Sequence, residues 1–184
     1  MQATDLRARQ PSGASRCIDR TRRLASAVAI CLLAAAIPAL AGQAFKGTVV
    51  RVQDGDTITV LHDGKEEHVR LSEIDCPERH QAFGRQASYA TQALAMGKVV
   101  TVVTEGRDRD RRTIGEVLLP DGRSLNRTLL RAGWAWQFIR YSRDPRLAEI
   151  EAEARLAKRG LWADADPVRP WEYRAALRPK GISR

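Results

Sequence analysis

The sequence predicts an α+β protein, a five-stranded Greek-key β-barrel of the OB type with about three helices. Two observations favour this fold. Five short β-branched runs bounded by Gly, Asp or Pro lie between residues 45 and 119. A pattern with helical spacing follows the third run. The chain has neither an internal repeat nor a parallel βαβ alternation, and a mixed α+β sandwich is the main alternative.

Residues 1–41 of the 184 have the layout of a secretory signal peptide. A basic lead that includes Arg16 precedes the apolar residues 24–41, which end in the small-x-small site Ala39-Leu40-Ala41. We therefore expect export to the periplasm or the medium, with the mature chain beginning at Gly42. An uncleaved membrane anchor is the alternative, because the apolar run is about long enough to span a bilayer. Arg22-Arg23 is a weak indication of twin-arginine export.

Three strands are predicted before the first helix, at residues 45–52, 57–61 and 67–71. Gly47 is a candidate bulge in the first of them. Residues 53–56 form a tight turn between the first two strands. Asp63-Gly64 lies between the second and third strands and is a strong hairpin signal.

The second half of the barrel domain, which we expect to end at residue 162, alternates helices and strands. Apolar residues at helical spacing predict a helix over 84–96, ended by Gly97. Two shorter helices are expected, one over 124–131 and one that begins at Asp144-Pro145 and stops at Gly160. The aromatic-rich residues 134–141 are expected to be irregular or extended. The last two strands are expected at residues 98–105 and 113–119. A charged loop over 106–112 separates them, a turn follows at 120–123, and the tail covers residues 163–184. The tail is expected to pack over the domain near Trp171.

Four acids flank the predicted hairpin: Asp54, Asp56, Asp75 and Glu78. Folding the hairpin brings the start of one strand beside the end of the other, so the acids can converge. Clustered carboxylates repel one another unless a cation lies among them, and oxygen-rich clusters suit hard divalent ions. Calcium is favoured over zinc because the sequence contains no cluster of His or Cys.

The net charge is +9. The signal segment contributes six arginines and two aspartates, so the mature domain keeps about +5, an excess that favours polyanionic partners. A generic soluble surface explains the charge equally well. Cys76 is the single cysteine after the signal segment, so the mature chain can form no internal disulfide.

The motifs DGDT, R-L-x-x-I-D-x-P-E, D-x-x-x-R before a strand, and L-N-x-x-L-x-x-x-G occur in this order. Together they resemble the staphylococcal nuclease (thermonuclease) family over residues 47–162. The resemblance implies a calcium-dependent nuclease on an OB barrel, with DNA and RNA as substrates. Similar enzymes cleave on the 5′ side of the phosphodiester and leave 3′-phosphates. The resemblance implies no stable protein partner. Contact with a membrane is expected only if the signal segment is uncleaved.

The resemblance also implies a metal site. By position, Asp56 and Asp75 would be direct carboxylate ligands of calcium, and the main-chain carbonyl of Cys76 would be a third ligand. Asp54 would hold a water bound to the ion. Thr57 would support the adjacent loop and belongs to the candidate substrate-binding residues.

The implied catalytic residues are Arg70, Glu78 and Arg112. Glu78 would orient or deprotonate the attacking water, while the two arginines would clamp the scissile phosphate. Tyr141 is the candidate for stacking on a base. Arg111 is the alternative clamp if the loop is shifted.

Two positions depart from the family pattern. Cys76 stands where small or hydroxyl residues are common, which matters little if its carbonyl is the ligand. Asp110-Arg111 replaces an aromatic-glycine pair before the clamp arginine, and an acid near a substrate phosphate is unfavourable. We therefore expect weaker substrate binding rather than lost chemistry.

Each of these residues also has an ordinary structural explanation. Arg70 can pair with a neighbouring acid, Asp75 to Glu78 can be a strand end and turn, and Arg112 can belong to a solvated charged loop. Two other functions therefore stay open: a non-catalytic nucleic-acid-binding OB module and a calcium-stabilised structural domain.

Overall fold

The computed structural model describes residues 43–178. The strands within this range are β1 (Ala44–Asp54), β2 (Thr57–His62), β3 (Lys65–Leu71), β4 (Ile74–Asp75), β5 (Val99–Arg107), β6 (Thr113–Leu118) and β7 (Trp136–Gln137). The helices are α1 (Gly84–Ala95), α2 (Leu125–Arg131), α3 (Pro145–Leu156) and α4 (Pro170–Leu177), with a short 3₁₀ helix at Gly160–Ala163.

Five strands close into a barrel in the order β1-β2-β3-β6-β5. All neighbours in the barrel are antiparallel except β3 and β6, whose parallel pairing closes it. The small strands β4 and β7 pair separately, beside the barrel. The predicted five-stranded barrel with helices is thereby confirmed.

The β2–β3 hairpin turns at the predicted dipeptide. Asp63 has φ 49° and Gly64 has φ 74°, the pair of positive values that a type I′ turn requires. The hairpin register places Thr57 opposite Arg70. Arg70 therefore lies beside the turn that carries the first two acids.

The predicted bulge at Gly47 is wrong. The register of β1 against β2 shifts instead between Val49 and Arg51 and again between Val52 and Asp54. Gly47 serves close packing, since a Cβ there would lie 2.5 Å from the carbonyl oxygen of Leu61. The second shift adjoins the acidic turn and helps to direct it, as bulges do near functional sites.

Alternate residues of the barrel strands fill its interior. The core joins strand residues such as Val49, Ile58 and Val69 to Leu125 and Leu129 of α2, all fully buried. Helix α2 is therefore part of the core of the barrel domain.

Helix α3 presents Leu147, Ile150 and Ala154 to the core. Leu156 does not share this face and is 86% exposed, because a step of two residues from Ala154 rotates it to the opposite side. The helix ends at Leu156, four residues before the predicted stop at Gly160.

Helix α4 was not predicted. It begins at Pro170, a residue pre-set for the first helical turn. Its Trp171 stacks on Phe138, with ring centroids 5.3 Å apart, so this part of the tail packs near Trp171 as expected. Within residues 43–178, no helix is long and apolar enough to cross a membrane. The predicted signal segment and residues 179–184 lie outside the described part of the chain.

Gly133 and Gly64 provide a matched test of packing. Both have positive φ, 76° and 74°. A Cβ at Gly133 would lie 2.2 Å from the carbonyl oxygen of Arg159, whereas nothing lies within 4 Å of a Cβ at Gly64. We expect Gly64→Ala to lower the free energy of unfolding by about 1 kcal/mol. Gly133→Ala should cost about 1–3 kcal/mol more, because backbone must move to admit the methyl group. Urea unfolding measures both, and equal losses would contradict the close approach.

Candidate active site

Two segments bring Asp54, Asp56 and Asp75 together. The turn between β1 and β2 carries Asp54 and Asp56, and β4 carries Asp75. Thr91 of α1 donates to the carbonyl of Gly55 at 2.5 Å and holds that turn. A Cβ on Gly55 would lie 2.7 Å from the Cβ of Cys76, so the glycine lets the two segments approach closely.

Arg70 joins the two segments. Its Nη2 donates to Asp75 Oδ1 at 2.6 Å, and its Nη1 donates to Asp56 Oδ1. The side chains of Asp56 and Asp75 are 2% and 0% exposed, and that of Arg70 is 19% exposed. Because one guanidinium contacts both, the two carboxylates converge on one point inside the protein.

The charges at this point are strongly coupled. Burial raises the pKa of Asp56 well above its usual range, and the neighbouring charges of Asp54 and Asp75 raise it further, against the effect of Arg70. Burial disfavours the charged form of Arg70, but Asp56 and Asp75 outweigh it and raise its pKa. The acids thus form a desolvated negative centre that a cation stabilises.

Cys76 contributes its backbone. Its N–H donates to Asp56 Oδ2 at 2.6 Å and fixes that carboxylate. Burial raises the pKa of the Cys76 thiol well above its usual range, and the charge of Asp56 adds to this effect. The thiol is therefore neutral at ordinary pH and is unsuited to nucleophilic attack or metal binding, which require the thiolate.

Glu78 lies at the edge of the same cluster, with its side chain 36% exposed. A second guanidinium reaches it from α4. Arg174 Nη1 donates to Glu78 Oε1 at 2.6 Å, and Nη2 donates to Asp75 Oδ2 at 2.7 Å. The hydrogen bond to Asp75 raises the pKa of Arg174, and the hydrogen bond to Glu78 adds to this effect. Arg174 Nη1 also donates to Asp75 Oδ1 at 3.2 Å, the oxygen that accepts from Arg70. The two guanidiniums therefore share the carboxylate of Asp75.

Arg112 is held within its own loop. Its Nε donates to Asp108 Oδ2 at 2.7 Å and its backbone N–H donates to Asp108 Oδ1 at 2.9 Å. Burial is the largest single influence and raises the pKa of Asp108, but the bonds from Arg112 together outweigh it and lower that pKa. Among the described residues, Arg112 forms no ion pair with the carboxylate cluster. Arg111 has φ 63° and an exposed side chain.

The other predicted residues are placed as follows. Thr57 is buried, and its hydroxyl donates to Asp56 Oδ1 at 3.2 Å. Asp54 Oδ1 accepts from the backbone N–H of Asp56 at 3.3 Å. Tyr141 is 71% exposed and packs edge-on against Phe138, with centroids 4.9 Å apart. The structure thus gathers the acids, Thr57 and Arg70, while Arg112 and Tyr141 lie on separate segments.

The donor chemistry fits a hard cation. Within the described range, no three His, Cys, Asp or Glu side chains are arranged to hold a metal. The predicted site needs only two carboxylates, from Asp56 and Asp75, plus the Cys76 carbonyl. Both carboxylates provide oxygen atoms, the thiol is neutral, and the pKa of Asp56 is raised mainly by burial, with the charges of Asp54 and Asp75 adding to the effect. These features suit calcium or another oxygen-preferring ion.

Sequence analysis missed Arg174. The tail was expected only to pack over the domain near Trp171, and Arg174 lies 99 positions from Asp75. No local periodicity reports a contact at that separation. The available signal was an arginine one helical turn after Pro170, next to an aromatic residue in a tail of mixed polarity.

A family model described as "Staphylococcal nuclease homologue" matches residues 68–164. This range contains Arg70, Asp75, Glu78 and Arg112, at the spacings described above. The chain belongs to the staphylococcal nuclease family. The resemblance found in the sequence is thereby confirmed.

Individual relatives agree with membership of the staphylococcal nuclease family. An "Uncharacterized endonuclease" of Escherichia coli O157:H7 is 48% identical over 128 residues, covering 70% of this chain and 84% of that protein. A "Micrococcal nuclease" of Shigella flexneri is 38% identical over 165 residues, covering 84% and 92%. "Staphylococcal-like nuclease CAN1" of Arabidopsis thaliana is 34% identical over 110 residues, covering 60% and 34%.

Proposed function

We propose that this protein is an exported, calcium-dependent endonuclease that hydrolyses DNA and RNA. The observation that carries the proposal is the convergence of Asp56 and Asp75 on Arg70. Two carboxylates beside a guanidinium that suits phosphate support a cation site at this point. Family membership and the endonuclease and nuclease names of the relatives support a nuclease function.

The proposed reaction is hydrolysis of a phosphodiester. The oxygen of water attacks phosphorus, the bond from phosphorus to the 5′ oxygen breaks, and that oxygen leaves with a proton as the 5′-hydroxyl. The other product is a 3′-phosphate. Negative charge builds on the phosphoryl oxygens in the transition state, so fixed cations there accelerate the reaction.

The residues of the chain divide this work. Arg70 uses two of its five N–H donors on Asp56 and Asp75 within the described structure, which leaves donors for phosphate oxygens. Glu78 is partly exposed at the edge of the cluster and accepts the proton of the attacking water. Asp56, Asp75 and the carbonyl of Cys76 would hold calcium, which supplies Lewis acidity next to the phosphate.

The direct test is a cleavage assay on single-stranded DNA, duplex DNA and RNA, in calcium and in chelator, with the product ends identified. We expect cleavage in calcium alone, with 3′-phosphate ends. Cleavage that persists in chelator would exclude the metal assignment. Products with 5′-phosphate ends would exclude the proposed bond.

A non-catalytic nucleic-acid-binding module is the second candidate. The pairing of Arg112 with Asp108 and of Glu78 with Arg174 favours it, since both residues are occupied by intramolecular partners. Such a module would bind oligonucleotides and cleave none of them at any calcium concentration. The same assay therefore separates the two functions.

The two arginines of the charged loop are expected to differ. Arg112→Ala should lower the cleavage rate by about 10²-fold, because it removes one fixed cation from the phosphate. Arg111→Ala should change the rate much less, since the family motif places the clamp at Arg112. Single-turnover cleavage of one DNA oligonucleotide measures both. The reverse ranking would move the clamp to Arg111.

Export is part of the proposal and depends on residues 1–41, which lie outside the described structure. N-terminal sequencing of the secreted protein should begin at Gly42. Retention of residues 24–41 on membrane-associated protein would favour the anchor instead.

A further inference from the structure

Helix α4 places Arg174 between two acids to which the proposed reaction gives different roles. Glu78 is the proposed proton acceptor, and Asp75 is a proposed ligand of calcium. Arg174 Nη1 donates to Glu78 Oε1 at 2.6 Å, and Nη2 donates to Asp75 Oδ2 at 2.7 Å. Helix α4 lies outside residues 68–164, the range that matches the family model. Membership of the family therefore does not account for this arginine.

The orientation of the Glu78 side chain depends on Arg174. That side chain is 36% exposed, and within residues 43–178 Arg174 is the one group that hydrogen-bonds to its carboxylate. A partly exposed glutamate without such a partner is free to populate several rotamers. The bond uses Oε1 and leaves Oε2 to accept the proton of the attacking water. Arg174 therefore restrains the carboxylate without occupying both of its oxygens.

The guanidinium of Arg174 also sets the spacing between Glu78 and Asp75. It is planar, and its nitrogens have a fixed geometry. Nη1 lies 3.2 Å from Asp75 Oδ1 in addition to its bond with Glu78, so one rigid group spans both carboxylates. Its positive charge also offsets the repulsion between them. Arg70 fixes Asp75 from the other side. Glu78 is thereby held beside the point where the buried acids converge.

Helix α4 is anchored at two places, so Arg174 approaches from a fixed base. Trp171 stacks on Phe138, with ring centroids 5.3 Å apart. Gln81, which is 9% exposed, donates to the carbonyl of Val168 at 2.5 Å. The side-chain oxygen of Gln81 accepts from the backbone N–H of Glu78 at 3.1 Å. The segment that leads into α4 is therefore tied to the turn that carries Glu78.

We propose that Arg174 is a positioning residue of the nuclease. It holds Glu78 in the orientation that accepts the proton of the attacking water, at a set distance from Asp75. This inference rests on the proposed nuclease function and adds to it a residue of the C-terminal helix. Because Arg174 acts through Glu78, its loss lowers the rate of the chemical step and not the affinity for DNA.

Arg174→Ala should lower the maximal cleavage rate by about 10-fold to 100-fold in saturating calcium, the usual cost of losing a group that orients a metal site. Single-turnover cleavage at a series of protein concentrations gives the maximal rate and the half-saturating concentration. The latter should stay within about twofold of the wild type. Arg174→Lys should recover only part of the rate, because an ammonium keeps the charge but not the planar fork.

Arg169→Ala is the matched control. Arg169 directly precedes α4 and pairs with Glu172 at 2.9 Å, and both side chains are about half exposed, 46% and 52%. An exposed pair of this kind contributes little to stability. Arg169→Ala should therefore retain the maximal rate and the half-saturating concentration of the wild type.

A double-mutant cycle tests whether Arg174 acts through Glu78. Glu78→Ala removes both the proton acceptor and the contact. In that background, the rate lost through Arg174→Ala should be smaller by about fivefold or more, a coupling usual for residues in contact. A purely structural role of Arg174 would give the same loss in both backgrounds.

The contact is also measurable without cleavage. Urea unfolding in chelator gives the stability of the wild type, Arg174→Ala, Glu78→Ala and the double variant. The double variant should lose less stability than the sum of the two single losses, because each single change already removes the shared bond. The same measurement shows whether each variant folds, and Arg174→Lys takes the place of Arg174→Ala if the latter does not.

The outcomes separate the role of Arg174 from the nuclease function. A native maximal rate in Arg174→Ala, or additive losses in both cycles, would overturn the positioning role and leave the nuclease function in place. Faster cleavage would make Arg174 an inhibitory contact, and a higher half-saturating concentration at a native maximal rate would make it a substrate-binding residue. A wild type that cleaves nothing in calcium would overturn the nuclease function, and the role of Arg174 with it.

Discussion

Arg70→Gln should lower the rate of DNA cleavage by about 10²-fold to 10³-fold, the usual cost of removing one group that stabilises transition-state charge. The same change should destabilise the calcium-free protein. Asp56 and Asp75 are almost fully buried, and both lose a charged partner. Breaking a buried ion pair from one side costs about 3–5 kcal/mol, because the remaining charge stays desolvated.

The effects of Arg70→Gln on the cleavage rate and on stability are measured separately. Single-turnover cleavage in saturating calcium gives the rate, and urea unfolding in chelator gives the stability. Calcium should recover part of the lost stability, since a cation between the carboxylates replaces the missing charge. Arg51→Gln, which changes an exposed arginine of β1, should alter stability by less than about 0.5 kcal/mol. A native cleavage rate in Arg70→Gln would exclude Arg70 as a phosphate clamp.

Local patterns predicted the strands of the barrel and its β2–β3 hairpin, because these features depend on neighbouring residues. The β2–β3 hairpin depends on Asp63-Gly64, and its register alone brings Arg70 opposite Thr57. The acidic turn lies one residue from that pair. Much of the candidate site was therefore predictable from a single hairpin and its turn chemistry.

Other features depend on contacts between distant segments. Arg174 reaches Asp75 and Glu78 from a helix 99 and 96 positions further along the chain. The spacing of α4 gives no information about which cluster it meets. Likewise, the sequence suggests a bulge at Gly47, but the absence of a side chain there lets β1 lie close to the carbonyl oxygen of Leu61 in β2. Only the tertiary packing distinguishes these roles.

The final prediction concerns Glu78, whose proposed role is to accept a proton. Glu78→Gln keeps the size of the side chain and an oxygen that can still accept from Arg174, but it removes the basic carboxylate. We therefore expect the cleavage rate to fall by about 10²-fold to 10⁴-fold, the range for loss of a general base. Calcium affinity should change little, because the proposed ligands are Asp56, Asp75 and the Cys76 carbonyl.

Single-turnover cleavage and calorimetric titration of calcium measure the two effects of Glu78→Gln separately. Glu172→Gln provides the control, since Glu172 is an exposed acid of α4 that pairs with Arg169 at 2.9 Å, and it should retain both properties. A native rate in Glu78→Gln would show that another group takes the proton. A loss of calcium affinity equal to the loss of rate would instead make Glu78 a ligand of the ion.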